Sequence, residues 1–143
     1  MVGRTIVVAL DNSVHSEMVF KFFAENIYRD GDVVILVHCV EINRPSLTFV
    51  PELNRQTTDN LNANSKKMND RMEEMMKKQN ISGTALIVDG NAGEGIIRVS
   101  QQRRADMIVI GSQGHGIFRR VIFGSVSDYV VRQSRVPVLV WKH

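Results

Sequence analysis

Four glycines fall within the fourteen residues from Gly111 to Gly124, in the stretch GSQGHGIFRRVIFG, and Ser125 and Val126 follow directly. Gly111 and Gly114 let backbone N–H groups approach an anion with no Cβ in the way. Gly124, Ser125 and Val126 open a segment of helical pattern. Free N–H groups and the positive end of the helix dipole would make that opening a phosphate site, to which Ser125 adds a hydroxyl donor. Two such backbone surfaces in one loop can hold a polyphosphate between them. Asp11, followed by Asn12 and Ser13, leaves a separate apolar run and supplies a carboxylate that could help hold a metal. Each residue also has a plainer role: Gly111 ends a strand, Gly124 and Ser125 cap a helix, Asp11 forms a turn. His115 is either solvated or touches a phosphate. Arg119 and Arg120 either steer phosphates or form a solvated face.

Other chemistries fail on detail. A P-loop needs Gly-x4-Gly-Lys-Ser/Thr; Gly111 and Gly116 have that spacing, but Ile117 and Phe118 follow. A dinucleotide fingerprint follows the first strand of its unit and ends in glycine or alanine, whereas GHGIFR follows a late strand and ends in Arg119. No Cys/His spacing suits a metal. Asp11, Ser13 and His15 include the residue types of a hydrolytic triad, but nothing in the sequence places them together. His38 reads as a satisfied core or rim histidine rather than a catalyst.

The elements that must position these residues are legible as hydrophobic runs. TIVVAL (Thr5–Leu10), DVVILVHCV (Asp32–Val40), GTALIVD (Gly83–Asp89), DMIVIG (Asp106–Gly111) and VPVLVW (Val136–Trp141) are continuous rather than alternating. Such strands belong to a sheet covered on both faces. Between them lie helical patterns. Ser13 is positioned to cap a helix with Met18, Val19, Phe22, Phe23 and Ile27 on one stripe. Thr57–Gln79 carries Leu61, Met68, Met72, Met75 and Met76 at helical spacing, which predicts core packing. Asn91 with Glu94, and Ser125 with Asp128, resemble capping boxes. The stretch from Glu41 to Thr58, with Pro45 and Pro51, reads as an irregular connection or a lid. Strand and helix alternate, which predicts an α/β fold with a doubly wound five-stranded parallel sheet. The flavodoxin-like order and 3-2-1-4-5 both satisfy that pattern. In the second, strands one and four are neighbours, the winding reverses between them, and ligands bind beyond their C-terminal ends.

The 143 residues suit one domain, 1–143. No run of about 18 apolar residues predicts a membrane span. The first residues do not read as a signal peptide, and none is expected. Cys39 is the only cysteine, so no intramolecular disulfide can form; it reads as an inert buried thiol. A reducing, cytoplasmic setting follows as the expectation. With 18 basic and 15 acidic residues the net charge is +3, too mild to indicate a nucleic-acid partner, and no Lys/Arg run exceeds two residues.

The spacing Gly111-x2-Gly114-x9-Gly124-Ser125, with this element order, resembles the ATP-binding branch of the universal stress protein family. The resemblance extends over nearly the whole chain through TIVVALDNSVHSE, RADMIVIGSQGHG and GSVSDYVVRQSRVPVLVW. It implies a Rossmann-like, adenine nucleotide alpha hydrolase-like fold with order 3-2-1-4-5 and ATP, with Mg²⁺ on its phosphates, in the crevice. On that resemblance Asp11 lies near the ribose and adenine, Ala9 stands beside the base, and the backbone of Val40 reads the adenine edge. Ile110 lines the site, while Gly111, Gly114, Gly124, Ser125 and Val126 contact ribose and phosphates. The loop DGNAGEGI lacks the Gly-x-Pro turn common in relatives, so no contact is carried over from it. The family also implies a homodimer through the last strand, with Val138, Val140 or Trp141 near the axis; an edge strand with unpaired backbone groups invites this. Three functions are compatible: a nucleotide-dependent stress-response regulator, a slow ATPase or phosphotransferase, and a nucleotide-free dimerisation module. The glycine pattern favours the first. The absent P-loop lysine, with no evident general base, limits hydrolysis to slow turnover at most.

Overall fold

The computed structural model describes residues 3–40, 51–112 and 124–142, for 51–62 the backbone alone. The elements are β1 (Thr5–Ala9), α1 (His15–Asn26), β2 (Val33–Val40), α2 (Pro51–Lys78), β3 (Gly83–Asp89), α3 (Ala92–Gln102), β4 (Met107–Gly111), α4 (Ser125–Gln133) and β5 (Val138–Trp141). The five strands form one sheet of order β3-β2-β1-β4-β5, every pairing parallel. The flavodoxin-like alternative is thereby excluded.

The continuous apolar runs are explained by two cores, one on each face. Ile6, Val8, Leu10, Val34 and Leu36 pack with Val19, Phe20 and Phe23 of α1 and with Met68, Met72, Met75 and Met76 of α2. The alternate residues Val7, Ala9, Ile35, Val37, Ile108 and Ile110 pack with Ile96 and Val99 of α3 and Val130 of α4. The methionine stripe is therefore core, as its spacing predicts; Leu61 lies outside the described side chains.

Several local expectations need correction. α2 begins at Pro51, so the last eight residues of the expected irregular stretch are helical. Proline suits a first helical turn, where the N–H it lacks would have no partner anyway. In α1 the buried stripe is Ser16, Val19, Phe20 and Phe23, while Met18 is 52% exposed. Its N-cap is Val14, with no side-chain cap; the Ser13 hydroxyl is engaged by Asp11 instead. Asn91 does cap α3, accepting from the Glu94 N–H at 3.2 Å. Ser125 does not cap α4. It is the first helical residue after Gly124, and Asp128 pairs with Arg132 one turn on, at 3.1 Å.

At the opposite end of the sheet from the strand C-termini, Arg4 grips Asp32. Its Nε and Nη2 donate to the two carboxylate oxygens at 3.0 and 2.6 Å, and Nη2 also reaches the Ile27 carbonyl at 2.9 Å. The Arg29 N–H donates to the same carboxylate at 2.9 Å. The Asp32 side chain is only 3% exposed. The Arg4 guanidinium holds its carboxyl below the ordinary aspartate value, overcoming the opposing effect of burial.

Candidate functional site

A cavity of about 430 Å³ opens beyond the C-terminal ends of β1, β2 and β4, where the strand order reverses. That volume lies within the range of small-molecule sites. Ala9, Asp11, Ile110, Gly111, Gly124, Ser125 and Val126 all line it, brought together from three separate parts of the chain. Gly114, His115, Arg119 and Arg120 lie outside the described residues.

Val40 is not among the lining residues. Its carbonyl accepts from the Gly90 N–H at 3.0 Å, on the side of β3. The residues of the β2 terminus on the cavity wall are Val37, His38 and Cys39. Cys39 packs on the same face as Val37, and its Sγ lies 3.6 Å from the Ala92 carbonyl oxygen. The thiol is half-buried at the wall rather than deep in the core. Gly93 and Gly95 allow α3 to come this close. A Cβ on Gly95 would stand 2.8 Å from the Cys39 Sγ, and one on Gly93 would stand 2.5 Å from the Tyr129 ring of α4. The unexpected glycines of the DGNAGEGI loop thus seat α3 against β2 and α4.

The opening of α4 forms another wall. Gly124 donates its N–H to the Ser112 carbonyl at 2.8 Å, and Ser112 donates to the Trp141 carbonyl at 2.9 Å. The Gly124 N–H is therefore committed to joining the two ends of the 113–123 segment. The donors of the first turn are the N–H groups of Ser125, Val126 and Ser127, which have no intrahelical acceptor. The Ser127 hydroxyl turns back to the Gly124 carbonyl at 3.0 Å, while Ser125 is exposed at the cavity wall.

The Asp11 turn forms the third wall. Asp11 Oδ1 accepts from the Ser13 N–H at 3.0 Å, from the Ser13 hydroxyl, and from the Ser16 hydroxyl at 2.9 Å. The Ser13 hydroxyl bonds the carboxylate directly, and His15 also lines the cavity. Leu10 donates its N–H to the Val37 carbonyl at 2.9 Å, and its own carbonyl lies 2.9 Å from His38 Nδ1. A carbonyl can only accept, so Nδ1 carries the proton. His38 is a rim histidine with a backbone partner. Arg71 of α2 reaches the same turn, with Nη1 3.2 Å from Asn12 Oδ1 and Nη2 2.8 Å from the Ser13 carbonyl oxygen. Reasoning from sequence misses Cys39, Ser16 and Arg71. Ser16 could have been suspected from its place one turn past Asp11; Arg71 carries no local signal at all.

Asp11 brings the hard oxygen that Mg²⁺ prefers, a ligand type that such an ion commonly combines with phosphate oxygens. Among the described residues there is no cluster of three or more side chains suited to hold a metal by themselves. No helix among them is long and apolar enough to cross a membrane.

The model of the family described as "Universal stress protein family" matches residues 3–142. The stress response protein NhaX of Bacillus subtilis is 38% identical over 68 residues, 48% of this chain; the match spans only 41% of that relative's length. Among solved structures, hypothetical protein MJ0577 of Methanocaldococcus jannaschii superposes with a TM-score of 0.80 at 25% identity, covering 100% of this chain and 98% of that one. A protein of the same family from Arabidopsis thaliana, solved with AMP bound, has a TM-score of 0.70 at 19% identity, covering 98% and 92% of the two chains.

Proposed function

The chain belongs to the universal stress protein family, and from that premise and the architecture of the crevice we propose that it binds an adenine nucleotide, ATP foremost, as a nucleotide-dependent stress-response regulator. One observation carries the reading. At the reversal of strand order, the first turn of α4, whose N–H groups have no intrahelical acceptor, lines a cavity that Asp11 also lines. Positive partial charge on one side suits phosphates. A carboxylate on the other suits ribose hydroxyls or a phosphate-bound Mg²⁺. The AMP found in the Arabidopsis relative supports an adenine ligand. Ala9 and Ile110 supply the apolar wall that a base requires, and Gly111, Gly114, Gly124, Ser125 and Val126 remain assigned to ribose and phosphates. The base-reading role at the β2 terminus remains proposed for the backbone of Val40, which adjoins Cys39 on the cavity wall. The whole of 1–143 acts as one nucleotide-binding domain, in the cytoplasm.

Titration calorimetry with ATP, AMP and cAMP, each with and without Mg²⁺, is the direct test. One nucleotide per chain is expected, with hydrolysis far below an ordinary enzyme rate of about 10 s⁻¹. Absence of binding for all three would refute the reading. Turnover at the ordinary rate would reassign the protein as an ATPase or phosphotransferase.

The regulator is further proposed to be a two-fold homodimer. β5 lies at the edge of the sheet next to β4, and all four of its residues are half-buried in the isolated chain. Val138 and Val140 pack toward one core, Leu139 and Trp141 toward the other. Antiparallel pairing with a second β5 would cover this edge. Sedimentation is expected to show a dimer at micromolar concentration and a monomer for the Val138→Lys/Val140→Lys double variant. A monomeric wild-type protein would contradict the pairing.

A further inference from the structure

We propose that Arg71 is a positioning residue for the nucleotide site, and that through it α2 senses whether the site is filled. The proposal rests on the nucleotide-binding function argued above and adds the element through which occupancy is felt.

None of the described side chains of α2 lines the cavity. Its buried stripe, Met68, Met72, Met75 and Met76, faces the sheet. Arg71 sits at the border of that stripe with its side chain 26% exposed, directed at the turn between β1 and α1. The guanidinium is a planar fork of five donors, so one side chain can hold several acceptors at fixed relative positions. Here it holds Asn12 Oδ1 at 3.2 Å and the Ser13 carbonyl at 2.8 Å, with Nε 3.6 Å from Glu17 Oε1. These partners follow Asp11 in the chain. The turn's other anchors, His38 on Leu10 and Ser16 on Asp11, come from the sheet and from the adjoining helix. Arg71 ties the turn to α2, 58 residues further along the chain.

A site whose wall is already in place does not have to order it on binding. Without the fork, the Asn12–Ser13 segment would have to be ordered by the ligand, and affinity falls. Coupling of this kind is reciprocal. A ligand that stabilises the Asp11 turn also stabilises the Arg71 clasp, and with it the middle of α2. Its outer face, which carries Glu73, Glu74, Lys77 and Lys78, is exposed and would report occupancy to the surroundings.

The test combines ATP calorimetry with amide hydrogen exchange on the full chain. Arg71→Ala is expected to bind ATP about tenfold more weakly, equivalent to about 1.4 kcal/mol, while its melting temperature stays within roughly 4 °C. In wild type, ATP is expected to slow exchange over residues 68–78; in Arg71→Ala it does not. Arg71→Lys, a point charge without the fork, is expected to fall between the two. Asn12→Ala is expected to weaken binding less than Arg71→Ala, and adding it to Arg71→Ala to cost nothing further. Should Arg71→Ala fail to fold, Arg71→Lys and Asn12→Ala decide the matter alone. Glu74→Ala, on the outer face, is the control with wild-type affinity. Wild-type ATP affinity in both Arg71→Lys and Asn12→Ala, with α2 protection intact, would overturn the clasp and leave the nucleotide site standing. A wild-type protein that binds no nucleotide overturns both.

Discussion

Ser125→Glu is expected to weaken ATP binding more than a hundredfold while the fold becomes no less stable. Ser125 is exposed, is the first residue of α4, and lines the cavity. An acidic side chain in a first helical turn interacts favourably with the helix dipole, by about 0.3–1 kcal/mol. The same charge would stand where phosphates are proposed to bind. At an effective dielectric of about 20, two like charges about 4 Å apart repel by roughly 4 kcal/mol. Folding and binding should therefore move in opposite directions, which general damage to the structure cannot imitate. Calorimetry and urea melts on one preparation read both. Unchanged ATP affinity in a stably folded Ser125→Glu protein would show that phosphates do not approach the start of α4.

Arg4→Met is expected to destabilise the protein by about 2–3 kcal/mol at pH 7. The variant keeps much of the apolar stem but leaves the Asp32 carboxylate, 3% exposed, without its guanidinium. Breaking a fully buried pair costs about 3–5 kcal/mol. The estimate is lower because Arg4 keeps 31% of its side-chain exposure and water screens it. The effect should depend on pH with a definite sign. The folded-state pKa of Asp32 is lowered from the ordinary 3.8, chiefly by its hydrogen bonds from Arg4. The pair's stabilisation is therefore present above 3.8 and is lost as pH falls through the folded-state value. In the variant a buried carboxylate with fewer donors is relieved by protonation. The stability gap between the two proteins should accordingly narrow between pH 7 and pH 3. Urea melts at both pH values check this. An equal gap at the two pH values would mean that packing of the Arg4 stem, not the charge pair, supplies the stability.

The alternation of apolar runs with helical patterns was enough to determine the element order, and the spacing of Gly111, Gly114, Gly124 and Ser125 enough to indicate the family. Both signals are local: strand and helix periodicity are written within a window of ten to twenty residues. Parallel strands covered on both faces leave little freedom in how such elements wind, so the order 3-2-1-4-5 was already one of two candidates. Which residue of a strand's end reaches the cavity is not local. Val40 and Cys39 are neighbours in the chain; the pleat puts Cys39 on the face of Val37, and only the packing of α3 on that face shows that it lies at the cavity wall. The same holds for donors. Gly124 looks like a free N–H until the fold brings the Ser112 carbonyl to it. Ser13 looks like a helix cap until the Asp11 carboxylate takes its hydroxyl. Arg71 marks the far limit of what sequence can tell. One polar side chain beside a methionine stripe has no pattern of its own, and its partners, Asn12 and Ser13, lie across the β1–α1 turn, which only the packing of α2 on the sheet brings within hydrogen-bond distance.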